Sequence, residues 1–168
     1  GKHAERNRCT VMLSYLAGMR VGEIAQLLIS DVFKPDGTVR DQIVLKAAYT
    51  KANETRTVFV SKRLNAEIAR YAKSFSTMPA ANKPLLQTQK RTAFSPNTMC
   101  QLFGTLYRRA GIDGASSHSG RRSFITKMAH SGISPKVIMT LAGHKSLHTT
   151  QRYIDVNDEM LKAAVEVV

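Results

Sequence analysis

Apolar residues recur along the chain at two periods, and the switches between those periods mark its elements. Cys9, Met12, Leu13 and Leu16 fall at i, i+3, i+4 and i+7, the buried stripe of an amphipathic helix. Gly18 ends that helix, and a short second one carries Ile24, Leu27 and Leu28. Three β-like runs follow at 30–33, 42–46 and 57–60, with Pro35-Asp36-Gly37 turning the chain between the first two. Residues 48–56 are polar enough to form an exposed hairpin tip. Helical spacing then returns: Ser61 is the N-cap of a helix that buries Leu64, Ile68, Tyr71 and Phe75. Residues 76–94 have no sustained period and read as a long loop, to which Lys83, Lys90 and Arg91 give a basic edge. Ser95-Pro96 opens a helix with Met99, Leu102, Phe103 and Leu106 inside, broken by Gly111 and Gly114. A helix from about His118 buries Phe124, Ile125, Met128 and Ala129 and ends near Gly132. Ser134-Pro135 caps another, with Ile138 and Leu141 inward, and Gly143 stops it. A further helix carries 149–153, and after Asn157 the stripe Met160, Leu161 and Val165 marks a terminal one.

That order predicts a fold that is mainly α with a small three-stranded antiparallel β-sheet on its edge (α+β). A length of 168 residues suits one domain over 1–168, and no repeat or low-complexity tract divides it. No apolar run approaches the roughly eighteen residues of a membrane span, and Gly1-Lys2-His3-Ala4-Glu5-Arg6 lacks the core of a signal peptide. Cys9 and Cys100 lie far apart without metal-ligand spacing, as expected of free thiols in a reducing cytoplasm. Charge changes the picture more. Twenty-five Lys and Arg against twelve Asp and Glu leave a net +13. Such an excess favours a polyanionic partner, because each phosphate neutralised releases condensed counterions. It does not distinguish DNA from RNA or from an anionic membrane.

The candidate chemistry gathers late in the chain. His118 and Arg121 lie one helical turn apart, His144 follows a glycine, and Tyr153 comes nine residues later. Upstream, Arg20 sits at a helix–helix junction with Glu23 three residues on, placed to orient it or to form a plain surface ion pair. Two arginines can straddle one phosphate, since a guanidinium is always charged and presents a planar fork. Fixed donors aimed at the charge that grows on the non-bridging oxygens are usually the largest catalytic effect. A tyrosine hydroxyl, with an ordinary pKa of about 10, needs a base or a nearby cation to attack near neutrality. His118 is a proton partner on the face of Arg121. A departing sugar oxygen needs a proton, which a lysine on a mobile hairpin such as Lys51 can supply. Bland readings stand beside these: Lys51 as a solvated charge, His144 as a helix-end cap, Tyr153 as a core aromatic.

The stretch 17–24 (Ala-Gly-Met-Arg-Val-Gly-Glu-Ile), Thr50-Lys51 followed by Arg56-Thr57-Val58, His118-Ser119-Gly120-Arg121, Leu141-Ala142-Gly143-His144 and Thr149-Thr150-Gln151-Arg152-Tyr153 come in a telling order. It is the order found in the catalytic domain of tyrosine recombinases, the phage integrase family, and the chain resembles that domain from Arg20 to Tyr153. Two positions depart from the pattern. Ser119-Gly120 stands where an acidic and an apolar residue are commoner, at a helix-propensity cost of about 1 kcal/mol for the glycine. Arg122 stands where a histidine is common.

The resemblance implies a site-specific recombinase or integrase, of the kind mobile genetic elements carry, that cuts and rejoins DNA through a 3′-phosphotyrosyl intermediate. It implies no metal, ATP or other cofactor. Tyr153 is then the nucleophile, Arg20 and Arg121 bind the phosphate, His118 moves the nucleophile's proton, and His144 hydrogen-bonds the phosphate. Lys51 protonates the leaving 5′-oxygen, and Glu23 supports the site. Further DNA contacts are expected at Lys62, Arg63, Arg91, Arg122 and Lys145. The expected partner is double-stranded DNA, bound by a homotetramer on paired sites; off DNA a monomer is one of the states left open. The tail 157–168 is either exchanged between subunits or packed on its own domain. The family's N-terminal DNA-clamping domain has no counterpart here, so an isolated catalytic domain or a short single-domain recombinase is expected. The expected location is the cytoplasm, on the nucleoid, with no membrane partner and no small-molecule substrate. The rivals are a non-catalytic DNA-binding regulator of recombinase descent, which has no physical reason to keep the reactive set, and a type IB topoisomerase. Small size and Leu141-Ala142-Gly143-His144 weigh against the latter.

Overall fold

The computed structural model describes residues 3–51, 53–156 and 158–167. Gly1, Lys2, Ala52, Asn157 and Val168 lie outside the described residues, and with them one residue of the expected hairpin tip and both ends of the expected tail. The described elements are helices α1 (Ala4–Ala17), α2 (Val21–Gln26) and α3 (Ile29–Val32), strand β1 (Gln42–Leu45), a 3₁₀ turn (Ala47–Tyr49) and strand β2 (Arg56–Phe59). Helices α4 (Lys62–Ala72), α5 (Pro96–Arg109), α6 (Ser119–His130), α7 (Pro135–Ala142), α8 (Leu147–Gln151) and α9 (Asp158–Val165) complete them.

Caps read from the sequence hold. Ser61 Oγ accepts the Leu64 N–H at 3.2 Å. Ser95 Oγ accepts from Thr98 N at 3.1 Å while Thr98 Oγ1 accepts from Ser95 N at 2.9 Å, a reciprocal box ahead of Pro96. Ser134 caps α7 at Val137 N, 3.4 Å.

The sheet has two strands where three were expected. β1 and β2 pair antiparallel, Gln42 opposite Phe59 and Leu45 opposite Arg56. The run 30–33 belongs to one helical turn, α3, with Phe33 just beyond it. Asp31 closes that turn by accepting the Leu28 N–H at 2.8 Å, and Ile29, Val32 and Phe33 are buried. Four apolar-rich residues fit either period, so a local carboxylate bond decided between them. The long loop 76–94 is a loop, but its middle is interior: Leu85 and Leu86 are buried, and Tyr71 donates its hydroxyl to Leu85 O at 3.0 Å.

One continuous apolar core joins α1, α2, α3, both strands, α4, Leu85, Leu86 and α5, with Leu13, Ile24, Ile43, Leu64, Ile68 and Phe103 fully enclosed. Each such side chain contributes about 1.5–3 kcal/mol of transfer free energy. A second, smaller cluster holds Ile125, Ala129, Ile138 and Ala142, with Phe124, Met128, Tyr153 and Ile154 against it. α6 lies along α1 at very short range. A Cβ on Gly120 would stand 2.8 Å from Ser14 Oγ, and one on Gly18 would stand 2.4 Å from the Phe124 ring. The glycine inside His118-Ser119-Gly120-Arg121 thus gives up helix propensity for close approach. No residue of α9 is buried, so the tail stripe is not packed into either cluster.

Both cysteines are free, Cys9 buried and Cys100 half-buried. Burial pushes the Cys9 thiol up to about 12, which leaves it inert near neutrality.

Candidate active site

Three arginines from distant parts of the chain end on the last turn of α7. Arg56 donates to Leu141 O at 2.8 Å, Arg121 to Ala142 O at 2.6 Å and Arg20 to Gly143 O at 3.1 Å. A helix C-terminus leaves these carbonyls without intrahelical donors and carries the negative end of the macrodipole, so it is a natural seat for cations. Gly143 makes the approach feasible. It adopts φ 63°, the left-handed cap, and a Cβ there would stand 2.6 Å from Arg56 Cδ.

Glu23 ties two of these guanidinium groups, those of Arg20 and Arg56, together from the other side. Its Oε1 accepts from Arg20 Nη1 at 3.0 Å and Arg56 Nε at 3.1 Å. Its Oε2 accepts from Arg56 Nη2 at 2.7 Å and from the Arg20 backbone N–H at 2.8 Å, which also caps α2. The residue is 1% exposed. Burial works to raise its carboxyl, but the hydrogen bonds and charges of Arg56 and Arg20 outweigh it and hold it below the ordinary value. Three guanidinium cations against this single carboxylate leave an excess of two positive charges in a half-enclosed site.

Arg121 comes from α6 and is 7% exposed, with Nη1 bonded to Gly18 O. Burial first, then the cations of Arg20 and Arg56, pull its pKa down. Among the described residues Glu23 opposes that repulsion, and an anion bound here would relieve more of it.

His144 follows the Gly143 cap, its backbone N–H on Met139 O at 3.0 Å. Burial and the cations of Arg121, Arg20 and Arg56 push its imidazole down to about 4, so it is neutral at pH 7. Its ring stacks on Tyr153 with centroids 6.1 Å apart and planes 20° apart. Tyr153 was expected within a helix over 149–153. It lies instead in the turn after α8, with its N–H on Thr150 O at 3.0 Å. A residue leaving a helix presents its side chain outside the helical ladder, and this phenol lies within electrostatic reach of Arg121 of its own chain.

Arg20, Glu23, Arg121, His144 and Tyr153 are therefore drawn into one cluster. Lys51 and His118 are exposed, and no hydrogen bond among the described residues ties them into it. Lys51 lies in the loop before β2, which Thr50 braces by accepting from Glu54 N at 3.1 Å and donating to Glu54 O at 2.8 Å. His118 precedes α6, its backbone N–H on Ser116 Oγ at 3.3 Å. Lys62, Arg63 and Arg91 are exposed; Arg122 reaches Ser116 and Ser119 at 3.3 Å each; Lys145 faces Glu54 at 3.8 Å.

Two residues of the cluster had no assigned role in the sequence. Arg56 was placed in the exposed hairpin tip, yet it is the first residue of β2 and its side chain is 9% exposed. The available signal was alternation: Arg56 falls on the same strand face as Val58, an inward position where an arginine needs a buried partner. Thr150, fully buried and 2.8 Å from His144 Nδ1, left no comparable trace. Among the described residues no group of three or more His, Cys, Asp or Glu side chains is arranged to hold a metal ion.

The chain is thus a mainly helical domain that gathers three arginines at the end of one helix, beside a stacked histidine and tyrosine. The phage integrase family model matches residues 1–160, and the chain belongs to that family. It is similar to tyrosine recombinase XerA of Pyrococcus horikoshii, 32% identical over 165 residues that cover 96% of this chain and 54% of the relative. Tyrosine recombinase XerC of Lactobacillus delbrueckii is 27% identical over 161 residues, covering 93% of this chain and 52% of that protein. The chain thus spans about half the length of the curated relatives it matches. Among solved structures, a XerA recombinase superposes with a TM-score of 0.71 at 26% identity, covering 97% of this chain and 57% of that one. XerH site-specific recombinase, in a pre-cleavage complex with its difH substrate, gives 0.73 at 23% identity over 99% of this chain and 48% of that one. The fold is accordingly that of recombinase catalytic domains. No helix among the described residues is long and apolar enough to cross a membrane.

Proposed function

We propose that this chain is the catalytic domain of a site-specific tyrosine recombinase that breaks and rejoins double-stranded DNA by transesterification. One observation carries the reading: Arg20 and Arg121 are fixed by bonds to Gly143 O and Ala142 O, in a site with an excess of positive charge where Tyr153 stacks on a neutral His144. A scissile phosphodiester supplies the missing negative charge. Tyr153 Oη attacks phosphorus, the bond to the sugar 5′-oxygen breaks, and the 3′-phosphate is left esterified to the phenol. His118 accepts the phenol proton, and Lys51 on its loop gives a proton to the departing 5′-oxygen. Arg20, Arg121 and His144 stabilise the pentacoordinate state through its non-bridging oxygens. Bond energy is conserved in the phosphotyrosyl ester, so a 5′-hydroxyl from a second strand reverses the step on a new partner.

Lys62, Arg63, Arg91, Arg122 and Lys145 contact the DNA backbone, which positions a duplex without reading its bases. Assembly is a homotetramer on paired sites, with α9 seated on a neighbouring copy. Leu161 and Val165, 54% and 73% exposed, support this, since exposed apolar side chains on one helix fit a partner surface.

The test is a nicked suicide substrate carrying the cognate site, offered to the wild type and to Tyr153→Phe without added metal. A denaturation-resistant protein–DNA adduct is expected with the former and none with the latter. Adduct in the variant would reveal another nucleophile.

A further inference from the structure

Thr150 is fully buried on α8, and its hydroxyl lies 2.8 Å from Nδ1 of His144. A buried hydroxyl that donates to nothing costs about 1–3 kcal/mol. Among the described residues the hydrogen-bond partner of this hydroxyl is His144 Nδ1. A ring nitrogen can take that proton only if it carries none itself. We propose that Thr150 is a positioning residue that donates to Nδ1 and locks His144 in the neutral tautomer with its proton on Nε2, a fixed donor for a non-bridging phosphate oxygen. The phosphate role rests on the recombinase reading above; the tautomer does not.

Three features of the site act in the same direction. The ring is held against turning by its stack on Tyr153, while the backbone bond from His144 N to Met139 O fixes where its Cα sits. The groups that face it are the cations of Arg20, Arg56 and Arg121, which together with burial oppose an imidazolium. A site already holding these cations gains more from a neutral N–H donor than from another charge, because a neutral donor adds a hydrogen bond without adding repulsion. Finally, the neighbouring Thr149 is not equivalent: it is half-buried and pairs with Ser146 Oγ at 3.3 Å.

Imidazole ¹⁵N spectra of the 168-residue chain at pH 7 decide the tautomer. His144 is expected to show an unprotonated Nδ1 and a protonated Nε2, and Thr150→Val to move the ring toward the other tautomer. On the nicked substrate Thr150→Val is expected to slow adduct formation by about tenfold, the scale set by other histidine-orienting partners. DNA affinity should hold, Thr150→Ser should restore the rate, and Thr149→Val should leave it unchanged. A protonated Nδ1 in the wild type would overturn the proposal, as would a Thr150→Val chain with the wild-type spectrum and rate. Should the valine variant not fold, the wild-type spectrum and the serine variant decide. If the wild type forms no adduct yet shows the Nε2–H tautomer, the recombinase reading fails and the Thr150 assignment stands.

Discussion

From α1 to α5 the chain is held by one unbroken apolar core, whereas α6 and α7 share a smaller cluster in which Ile125, Ala129, Ile138 and Ala142 are buried and Phe124, Met128, Tyr153 and Ile154 pack against them. The seam between these regions is closed differently again. Glycines let α1 and α6 touch at Gly120 and Gly18, and Ser14 Oγ, beside Gly120, is buried with no hydrogen-bond partner among the described residues. Guanidinium bonds from Arg20, Arg56 and Arg121 then fasten α7 to the rest. Apolar packing is strong but non-directional, while charge-assisted hydrogen bonds to carbonyls fix position and angle. Stability is thus concentrated in the first region and geometry in the seam, where a reacting phosphate needs donors held to within a few tenths of an ångström.

Removing a seam arginine that is also proposed to bind the scissile phosphate tests this contrast most sharply. Arg121→Ala is expected to slow adduct formation by about 10²–10³ or more, the cost of losing a preorganised transition-state donor. DNA affinity should fall far less. Equal losses in rate and affinity would reduce the cluster to a binding role.

Next in size is Arg56→Met, which leaves Glu23 buried with half its partners gone. Breaking a buried pair costs about 3–5 kcal/mol, readable in denaturant unfolding. Combining it with Glu23→Gln should recover part of that loss, because the stranded charge is removed with it. A purely additive double variant would mean that the two side chains act independently.

Gly143→Ala forces a β-carbon into a left-handed position, costing about 1–2 kcal/mol, and drives it against Arg56. Gly132 has a similar φ, 71° against 63°, but nothing within 4 Å of its would-be Cβ. Gly132→Ala should therefore cost only the backbone share. A larger loss at Gly132 than at Gly143 would place the restraint outside the arginine seam.

Acid should loosen the seam gradually. His144 is held down from 6.5 to about 4, so between those values the unfolded chain takes up a proton that the folded one refuses. Stability contributed here is present above pH 6.5 and declines as pH falls toward 4. Glu23, held below its ordinary 4.5, adds a further loss only as pH falls toward its lowered folded value. Melting temperatures should drop across that range, and His144→Asn should flatten the upper part of the decline. A wild-type profile already flat between pH 6.5 and 5 would remove His144 from the account.

The smallest effect is expected from deleting 158–168. No residue of α9 is buried, so the melting temperature of the free chain should stay within about 2 °C. A large drop would place the tail in the domain's own packing.

Much of this protein was legible in its sequence because local rules govern local features. Helix stripes fixed which faces of α1, α4, α5 and α6 turn inward, and Ser61, Ser95 and Ser134 announced helix starts through their own side-chain bonds. The motif residues Arg20, Glu23, Arg121, His144 and Tyr153 stood out in the sequence, and the fold brings them into one cluster. Folding decided what depends on partners far away in the chain. The α3 turn is anchored by the Ile29 N–H on Lys83 O and the Ser30 N–H on Ala81 O; Arg56 went inward because Glu23 and Leu141 O lay there to receive it. Thr150 gained a role only when Gly143 turned the backbone and set His144 against it. Periodicity and capping are properties of neighbouring residues. Pairing a buried charge or orienting an imidazole belongs to groups that meet only once the chain has closed.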